Sequence, residues 1–158
     1  LIGKENEGFK QVLKILDGGR IAIAALSLGI AQGAIDNSIK YARQRKQFGK
    51  PLSEFQATQF KIAELATEAD AARLLIMKAA VMKDAGENIN TASSMAKLFA
   101  SELAVKAANE AVQIHGGYGF IKEFPVEKLY RDVKLVTIGE GTSEVQRMII
   151  AKNLTKLF

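Results

Sequence analysis

The chain has 158 residues, the size of one ordinary domain, and 48% of them are hydrophobic, so a sizeable core can form. The absence of cysteine excludes disulfides and cysteine-based metal sites, and it favours a reducing intracellular compartment. The net charge of +5 would suit an anionic partner. Most basic residues are spread along the chain, however, and no aromatic-plus-basic RNA motif occurs, which argues against nucleic-acid binding.

The longest weakly polar run covers residues 21–33, fewer than the about 20 apolar residues that a membrane span needs. Its alanines indicate a packed helix instead, and we expect no membrane span. The sequence does not begin with methionine, and its first residues do not resemble a signal peptide. We therefore expect a piece of a longer protein, from which localisation signals could have been lost.

Helical periodicity dominates the first half of the chain. It predicts a short helix over residues 5–16 and a long one over residues 17–45, with Asp17 as its N-cap and a stop at residues 49–51. A second long helix is predicted to start at Ser53, with a glutamine three residues later as in a capping box.

The second helix is predicted to end near Gly86, and Asn90 or Thr91 caps a third, which breaks at residues 116–117. Pro125 opens a short helix that ends at residue 131.

A last helix is predicted from Thr142 towards Leu157. The one strand-like run, residues 135–138, is too short to pair with anything obvious. The short connections between helices predict an all-α fold: an antiparallel four-helix bundle with short extra helices, forming a single domain over residues 1–158.

Two segments combine basic or aromatic residues with glycine. In residues 43–52 (RQRKQFGKPL), guanidinium groups could bind phosphate oxygens; the alternative is a basic helix end that complements the dipole. In residues 113–120 (QIHGGYGF), paired glycines allow close approach of a ligand; the alternative is a helix C-cap followed by a turn. His115 has no partner histidine or cysteine for a metal, so we interpret it as a structural loop residue and predict no metal site.

Two further segments place a carboxylate beside glycines. Glu140 lies between two glycines directly before a helix, where free backbone N–H groups could bind an anion; alternatively, Glu140 only complements the helix dipole and Thr142 only caps. Asp17 precedes two glycines and Arg20, and together these could fix a polar or phosphorylated ligand.

The motifs LDGGR, RQRKQFGKPL, QIHGGYGF, YRD and EGTSEVQR, in this order and spacing, resemble the acyl-CoA dehydrogenase family. The likeness covers the entire chain but only the C-terminal part of such enzymes, so it implies that an N-terminal helical domain and a middle β-domain are absent. It implies a flavoprotein that oxidises acyl-CoA thioesters to trans-2-enoyl-CoA, as in fatty-acid β-oxidation. Glu140 matches the base that removes the α-proton, while the β-hydrogen leaves as hydride to flavin N5.

The resemblance also implies binding residues. FAD contacts fall on Arg45, Lys46, Gln47, Phe55, Gln56, Gln113, Ile114, His115, Gly116, Gly117, Thr142, Ser143 and Glu144. Coenzyme A contacts fall on Asp17, Gly18, Gly19, Arg20, Gly141 and Lys152. In the family, the groups at 45–47 and 113–117 reach the flavin of a neighbouring subunit, and His115 is expected to contribute only backbone.

Two positions depart from some family members. Gly139 stands where straight-chain members often carry tyrosine, which predicts a short- or branched-chain acyl preference and leaves chain length open. Gly19 stands where some branched-chain members place their catalytic glutamate, which supports Glu140 as the base.

The resemblance implies electron-transferring flavoprotein as partner, a homodimer or homotetramer, and bacterial cytoplasm, or the mitochondrial matrix in a eukaryote. Two alternatives stay open: an acyl-CoA oxidase of the same fold, and, for this chain alone, a helical assembly module without chemistry. We expect the isolated chain to fold, self-associate, bind FAD weakly or not at all, and be inactive.

Overall fold

A computed structural model describes residues 3–155. The α-helices are α1 (Gly8–Gln44), α2 (Gln56–Asp84), α3 (Asn90–His115), α4 (Pro125–Asp132) and α5 (Ser143–Thr155). Three 3-10 helices cover Leu52–Glu54, Gly116–Phe120 and Val133–Thr137. Two-residue strands, β1 (Lys46–Gln47) and β2 (Lys50–Pro51), pair antiparallel.

The predicted antiparallel four-helix bundle is confirmed. The first half of α1 lies beside the start of α3, where Arg20 donates to Ser94. Helix α2 runs against both, since the ammonium of Lys106, late in α3, donates to Glu68 in the first half of α2. Helix α5 runs against α3, because Asn153 near its end donates to Asn90 at the first residue of α3.

The core is built largely from alanine. The fully buried alanines on α1, α2 and α3 are Ala24, Ala31, Ala34, Ala42, Ala72, Ala79, Ala96, Ala100, Ala104, Ala107, Ala108 and Ala111. Small side chains let helix backbones approach closely but bury little area each. The larger side chains Leu28, Ile35, Leu65 and Leu103 therefore contribute much of the apolar burial, at about 25 cal/mol per Å².

The prediction of a separate first helix was wrong. Helix α1 is continuous from Gly8 to Gln44, so Asp17 is an interior residue and not an N-cap. The paired glycines after Asp17 lower helix propensity, but packing of α1 against α3 and the Asp17–Arg20 ion pair one turn apart keep the helix intact.

The predicted N-caps of α2 and α3 were also wrong. Phe55 precedes α2 without a side-chain cap, and the backbone carbonyl of Ser53 accepts from the Gln59 side chain instead. Ile89 precedes α3 without a side-chain cap, and the nearby backbone N–H of Asn90 donates to the side-chain oxygen of Asn88. A 3-10 turn before α2 moves its start past Ser53, so the capping-box spacing does not apply.

The predicted helix ends are confirmed. Gly86 has φ of 72° and donates to the carbonyl of Lys83, while Glu87 donates to that of Met82, the Schellman pattern. Gly116 ends α3 with φ of 59°. Pro125 is the first residue of α4. The prediction that the last helix runs to Leu157 extends beyond the described residues, which end at Thr155.

Two short segments shape the surroundings of the candidate site. The strand-like run 135–138 belongs mostly to the 3-10 helix Val133–Thr137 and its C-cap, consistent with its lack of a pairing partner. Phe48 and Gly49, with φ of 51° and 82°, form the two-residue turn of the β1–β2 hairpin, and the Phe48 side chain is almost fully exposed.

Within residues 3–155, no helix is both long and apolar enough to cross a membrane.

Candidate active site

Glu140 lies on a tight loop between the last 3-10 helix and α5. The N–H of Gly139 donates to the carbonyl of Leu135 at 2.8 Å, which ends the 3-10 helix. Glu140 and Gly141 then both adopt positive φ, at 56° and 95°. For a glutamate this conformation costs on the order of 1–3 kcal/mol and persists only when surrounding contacts enforce it.

Thr142 ends the loop as the N-cap of α5. Its hydroxyl accepts from the N–H of Val145, three residues on, at 3.4 Å, which confirms the capping prediction. Glu144 lies in the first turn, and its pKa is lowered by a hydrogen bond from its own backbone N–H and by one from the Thr142 hydroxyl. The helix start therefore holds a fixed carboxylate close to Glu140.

The loop brings Glu140 against α1 at Gly19, 121 positions away in the sequence. A methyl group built on Gly19 would lie 2.7 Å from the carboxyl carbon of Glu140. A side chain at residue 19 would therefore displace this carboxylate. Gly19 thus allows the carboxylate to lie against the backbone of α1.

The charged residues next to Gly19 form a part-buried polar cluster. Arg20 is only 6% exposed, and its guanidinium donates to Asp17 at 2.6 Å and to Ser94 at 3.4 Å. Asn90 donates to the same oxygen of Asp17 at 3.5 Å. Among the described residues, Arg20 Nε has no hydrogen-bond partner, so the cluster retains a donor that a ligand could use.

Two buried residues that the sequence analysis missed donate hydrogen bonds to the backbone of the Glu140 loop. Lys97 on α3 is fully buried, and its ammonium donates to the carbonyl of Gly141 at 2.6 Å. The amide of Gln146, also fully buried, donates to the carbonyls of Glu140 and Gly141 at 3.2 and 3.0 Å. Side chains from α3 and α5 thus hold both carbonyls of the strained loop.

Burial lowers the pKa of the Lys97 ammonium, and the nearby Arg20 charge lowers it further. The carboxylates of Glu144, Glu102 and Glu140 act in the opposite direction. Lys97 therefore lies within electrostatic reach of the candidate base.

A groove of about 560 Å³ lies at the other end of α1, between the hairpin and the end of α3. Six of the predicted FAD contacts line this groove: Arg45, Gln47, Ile114, His115, Gly116 and Gly117. Space beside both glycines is open, since a methyl group on either would meet nothing within 4 Å. The motifs RQRKQFGKPL and QIHGGYGF thus form one surface.

The ring of His115 is a packing element at the base of this groove. It is 4% exposed, stacks on Tyr41 at 4.1 Å, and packs edge-on against Phe124. Its Nδ1 lies 2.7 Å from the carbonyl of Ala111, so Nδ1 carries the hydrogen. Burial lowers its pKa, and the bond to Ala111 opposes that effect.

The remaining predicted contacts are distributed over the surface. Thr142, Ser143 and Glu144 line a smaller groove of about 310 Å³, and the buried hydroxyl of Ser143 has no partner among the described residues. Gln56 and Gln113 are exposed, as are Lys46 and Lys152; Phe55 is half-buried.

Within residues 3–155, no group of three or more acidic or histidine side chains could hold a metal ion.

The family model described as acyl-CoA dehydrogenase, C-terminal domain, matches residues 6–155. A probable acyl-CoA dehydrogenase of Bacillus subtilis, YngJ, is 56% identical over 156 residues, which cover 99% of this chain and 41% of the relative. The CarC subunit of the caffeyl-CoA reductase–Etf complex of Acetobacterium woodii is 51% identical, covering 98% of this chain and 41% of the relative.

The solved structure of butyryl-CoA dehydrogenase from Megasphaera elsdenii matches with a TM-score of 0.95 at 46% identity, covering 97% of this chain and 40% of that chain. The chain therefore belongs to the acyl-CoA dehydrogenase family, whose C-terminal domain it matches. It spans about two fifths of the length of the relatives that it matches.

Proposed function

We propose that this chain is the C-terminal helical domain of a flavoenzyme that converts acyl-CoA thioesters to trans-2-enoyl-CoA. One observation carries the proposal: the Glu140 carboxylate lies against α1 at Gly19, within the segment that also carries the part-buried ion pair of Asp17 and Arg20. These residues are distant in the sequence, yet the fold places an acid–base group next to polar groups that can bind an anionic ligand.

In this proposal, Glu140 removes the proton from the α-carbon of the thioester. Negative charge then develops on the thioester oxygen and needs a hydrogen-bond donor in place. The backbone N–H of Glu140 suits this role, because the hydrogen bonds within residues 3–155 do not use it. The positive φ of Glu140 sets the direction of its N–H relative to the Cβ that carries the carboxylate arm.

The residues fit FAD as the cofactor, which supplies the hydride acceptor when bound. The groove beside Gly116 and Gly117 is open to a flat ligand, and Arg45 and Gln47 bring donors for phosphate or ribose oxygens. The buried hydroxyl of Ser143 has no partner within the described part of the chain, which suits a polar ligand at the start of α5.

Arg20 lies on α1 and Arg45 directly follows it, 25 positions later, which is roughly 38 Å along the helix axis at 1.5 Å per residue. This exceeds the length of an extended FAD molecule, so one flavin beside Glu140 could not also reach Arg45 of the same chain. The spacing supports a homodimer or homotetramer in which the Arg45 groove serves the flavin of a second copy.

The acyl group is proposed to be short or branched. Gly139 directly precedes the base, and a methyl group built there would meet only the carbonyl of Leu135, at 3.5 Å. The absence of a side chain at residue 139 leaves room beside the carboxylate for a substituent near the reacting carbons.

The electron partner is proposed to be an electron-transferring flavoprotein, in bacterial cytoplasm or the mitochondrial matrix. Support comes from CarC, whose name places it in a reductase–Etf complex. The same name favours a second candidate function: reduction of an enoyl-CoA, in which Glu140 would return the proton to the α-carbon.

The test is anaerobic mixing of the full-length parent enzyme with butyryl-CoA, with longer and with branched acyl-CoAs, while the visible flavin absorbance is followed. We expect bleaching, fastest with a short or branched thioester. If acyl-CoA does not bleach the flavin but enoyl-CoA restores the absorbance of the chemically reduced enzyme, the reductase function is favoured. Rapid peroxide formation during turnover in air would indicate an oxidase. A flavin that responds to no thioester would refute the proposal.

A further inference from the structure

Lys97 is the largest side chain that is fully buried in the described part of the chain. A buried ammonium loses its hydration, and it is tolerated only when protein groups replace the lost water contacts. Its one hydrogen bond within residues 3–155 goes to the carbonyl of Gly141, at 2.6 Å. The residue therefore has a specific acceptor, which lies directly after the candidate base.

The acceptor belongs to a backbone that needs outside support. Glu140 and Gly141 both have positive φ, a conformation that a glutamate rarely adopts unless its neighbours enforce it. Gln146 also donates to the carbonyl of Gly141, but it comes from α5, which is continuous with the loop. Lys97 comes from α3, so it ties the loop to the bundle core.

We propose that Lys97 is a positioning residue for the candidate active site: its ammonium fixes the carbonyl of Gly141 and thereby sets the place of the Glu140 carboxylate against Gly19. The inference rests on the proposed function of Glu140. Within residues 3–155, the Lys97 ammonium donates to the Gly141 carbonyl and not to the Glu140 carboxylate, so its effect passes through the backbone.

The test compares Lys97→Met with Lys106→Met in the full-length, flavin-loaded enzyme. Methionine has a similar length but donates no hydrogen bond and carries no charge. Lys106 is a matched control, because it lies nine residues further along the same helix, is 44% exposed and pairs with Glu68 outside the site. Two quantities are measured: the rate of flavin reduction by butyryl-CoA per bound flavin, and the dissociation constant of butyryl-CoA.

We expect Lys97→Met to lower the reduction rate by about 100-fold, the effect of a misplacement of roughly 1 Å, with a much smaller change in the dissociation constant. Lys97→Arg, which restores a charged donor, should recover part of the rate. Amide hydrogen exchange of the segment 138–147 should be faster in Lys97→Met than in Lys106→Met.

An unchanged rate per bound flavin in Lys97→Met would overturn the inference, even if flavin content or thermal stability fell, because the role would then be structural only. If Lys97→Met yields no folded enzyme, Lys97→Leu, which also lacks a donor, takes its place and is judged by the same rate; failure of both to fold would assign Lys97 to folding alone. If wild-type flavin responds to no thioester, the proposed function fails, while the exchange comparison still decides whether Lys97 fixes the loop.

Discussion

The contact between Glu140 and α1 predicts a specific effect of Gly19→Ala. The new methyl group would lie 2.7 Å from the carboxyl carbon of Glu140, whereas two carbon atoms in contact prefer about 3.5–4.0 Å. The carboxylate must therefore retreat by roughly 1 Å, and a misplacement of this size costs about 100-fold in rate. Alanine in a helix interior is meanwhile favoured over glycine by about 0.5–1 kcal/mol, and the obstructing group is the far end of a flexible side chain.

Gly19→Ala should thus separate activity from stability. We expect flavin reduction by butyryl-CoA in the parent enzyme to slow by about 100-fold, with the melting temperature unchanged or raised. Gly29→Ala is the matched control, because Gly29 is on the same helix and a methyl group there meets nothing within 4 Å. A Gly19→Ala enzyme with the wild-type reduction rate would show that the carboxylate does not need its place against α1.

Two further predictions concern stability. The pKa of His115 is lowered by burial, so the folded state favours the neutral ring; its contribution is full above the unfolded pKa of about 6.5 and is lost as pH falls below that value. The variant His115→Asn retains a donor for the carbonyl of Ala111. Its free energy of unfolding by urea should therefore change less between about pH 7 and about pH 5 than that of the wild type. An equal change in both proteins would contradict this assignment. Ala104 is fully buried, so Ala104→Leu should lower the free energy of unfolding by about 1–3 kcal/mol through overpacking. Ala57→Leu, at an exposed position of α2, should change it little. Equal effects of the two substitutions would contradict the close helix packing.

Periodicity and stop signals were enough to predict the bundle, because the apolar stripes and glycine stops are local features. Gly86 and Gly116 end their helices as expected, since each supplies a positive φ that other residues rarely adopt. The predicted helix break before Asp17 was wrong, because tertiary contacts of α1 with α3 outweigh the local cost of two glycines. Local propensity cannot report such contacts.

The candidate site was only partly predictable. Glu140 could be found because a glycine on each side marks it, and Thr142 because it precedes a helix. The approach of Glu140 to Gly19 could not be derived from residue pattern, since 121 positions separate them. Lys97 was missed because a lysine in a helix usually faces solvent. One signal existed: Lys97 lies four positions after Ser93 and four before Ser101, on the stripe of small residues that faces the core.

Glu140 as the base is tested most directly by Glu140→Gln in the full-length enzyme, mixed anaerobically with the best acyl-CoA substrate. Glutamine has nearly the same shape but cannot accept the proton, so we expect flavin reduction to slow by about 10²- to 10⁴-fold or more. Glu64→Gln serves as control, because that side chain is 67% exposed and pairs with Lys106 on the bundle surface. The predicted result is wild-type flavin content in both variants, with reduction slowed in Glu140→Gln alone. Reduction at the wild-type rate in Glu140→Gln would contradict the assignment of the base.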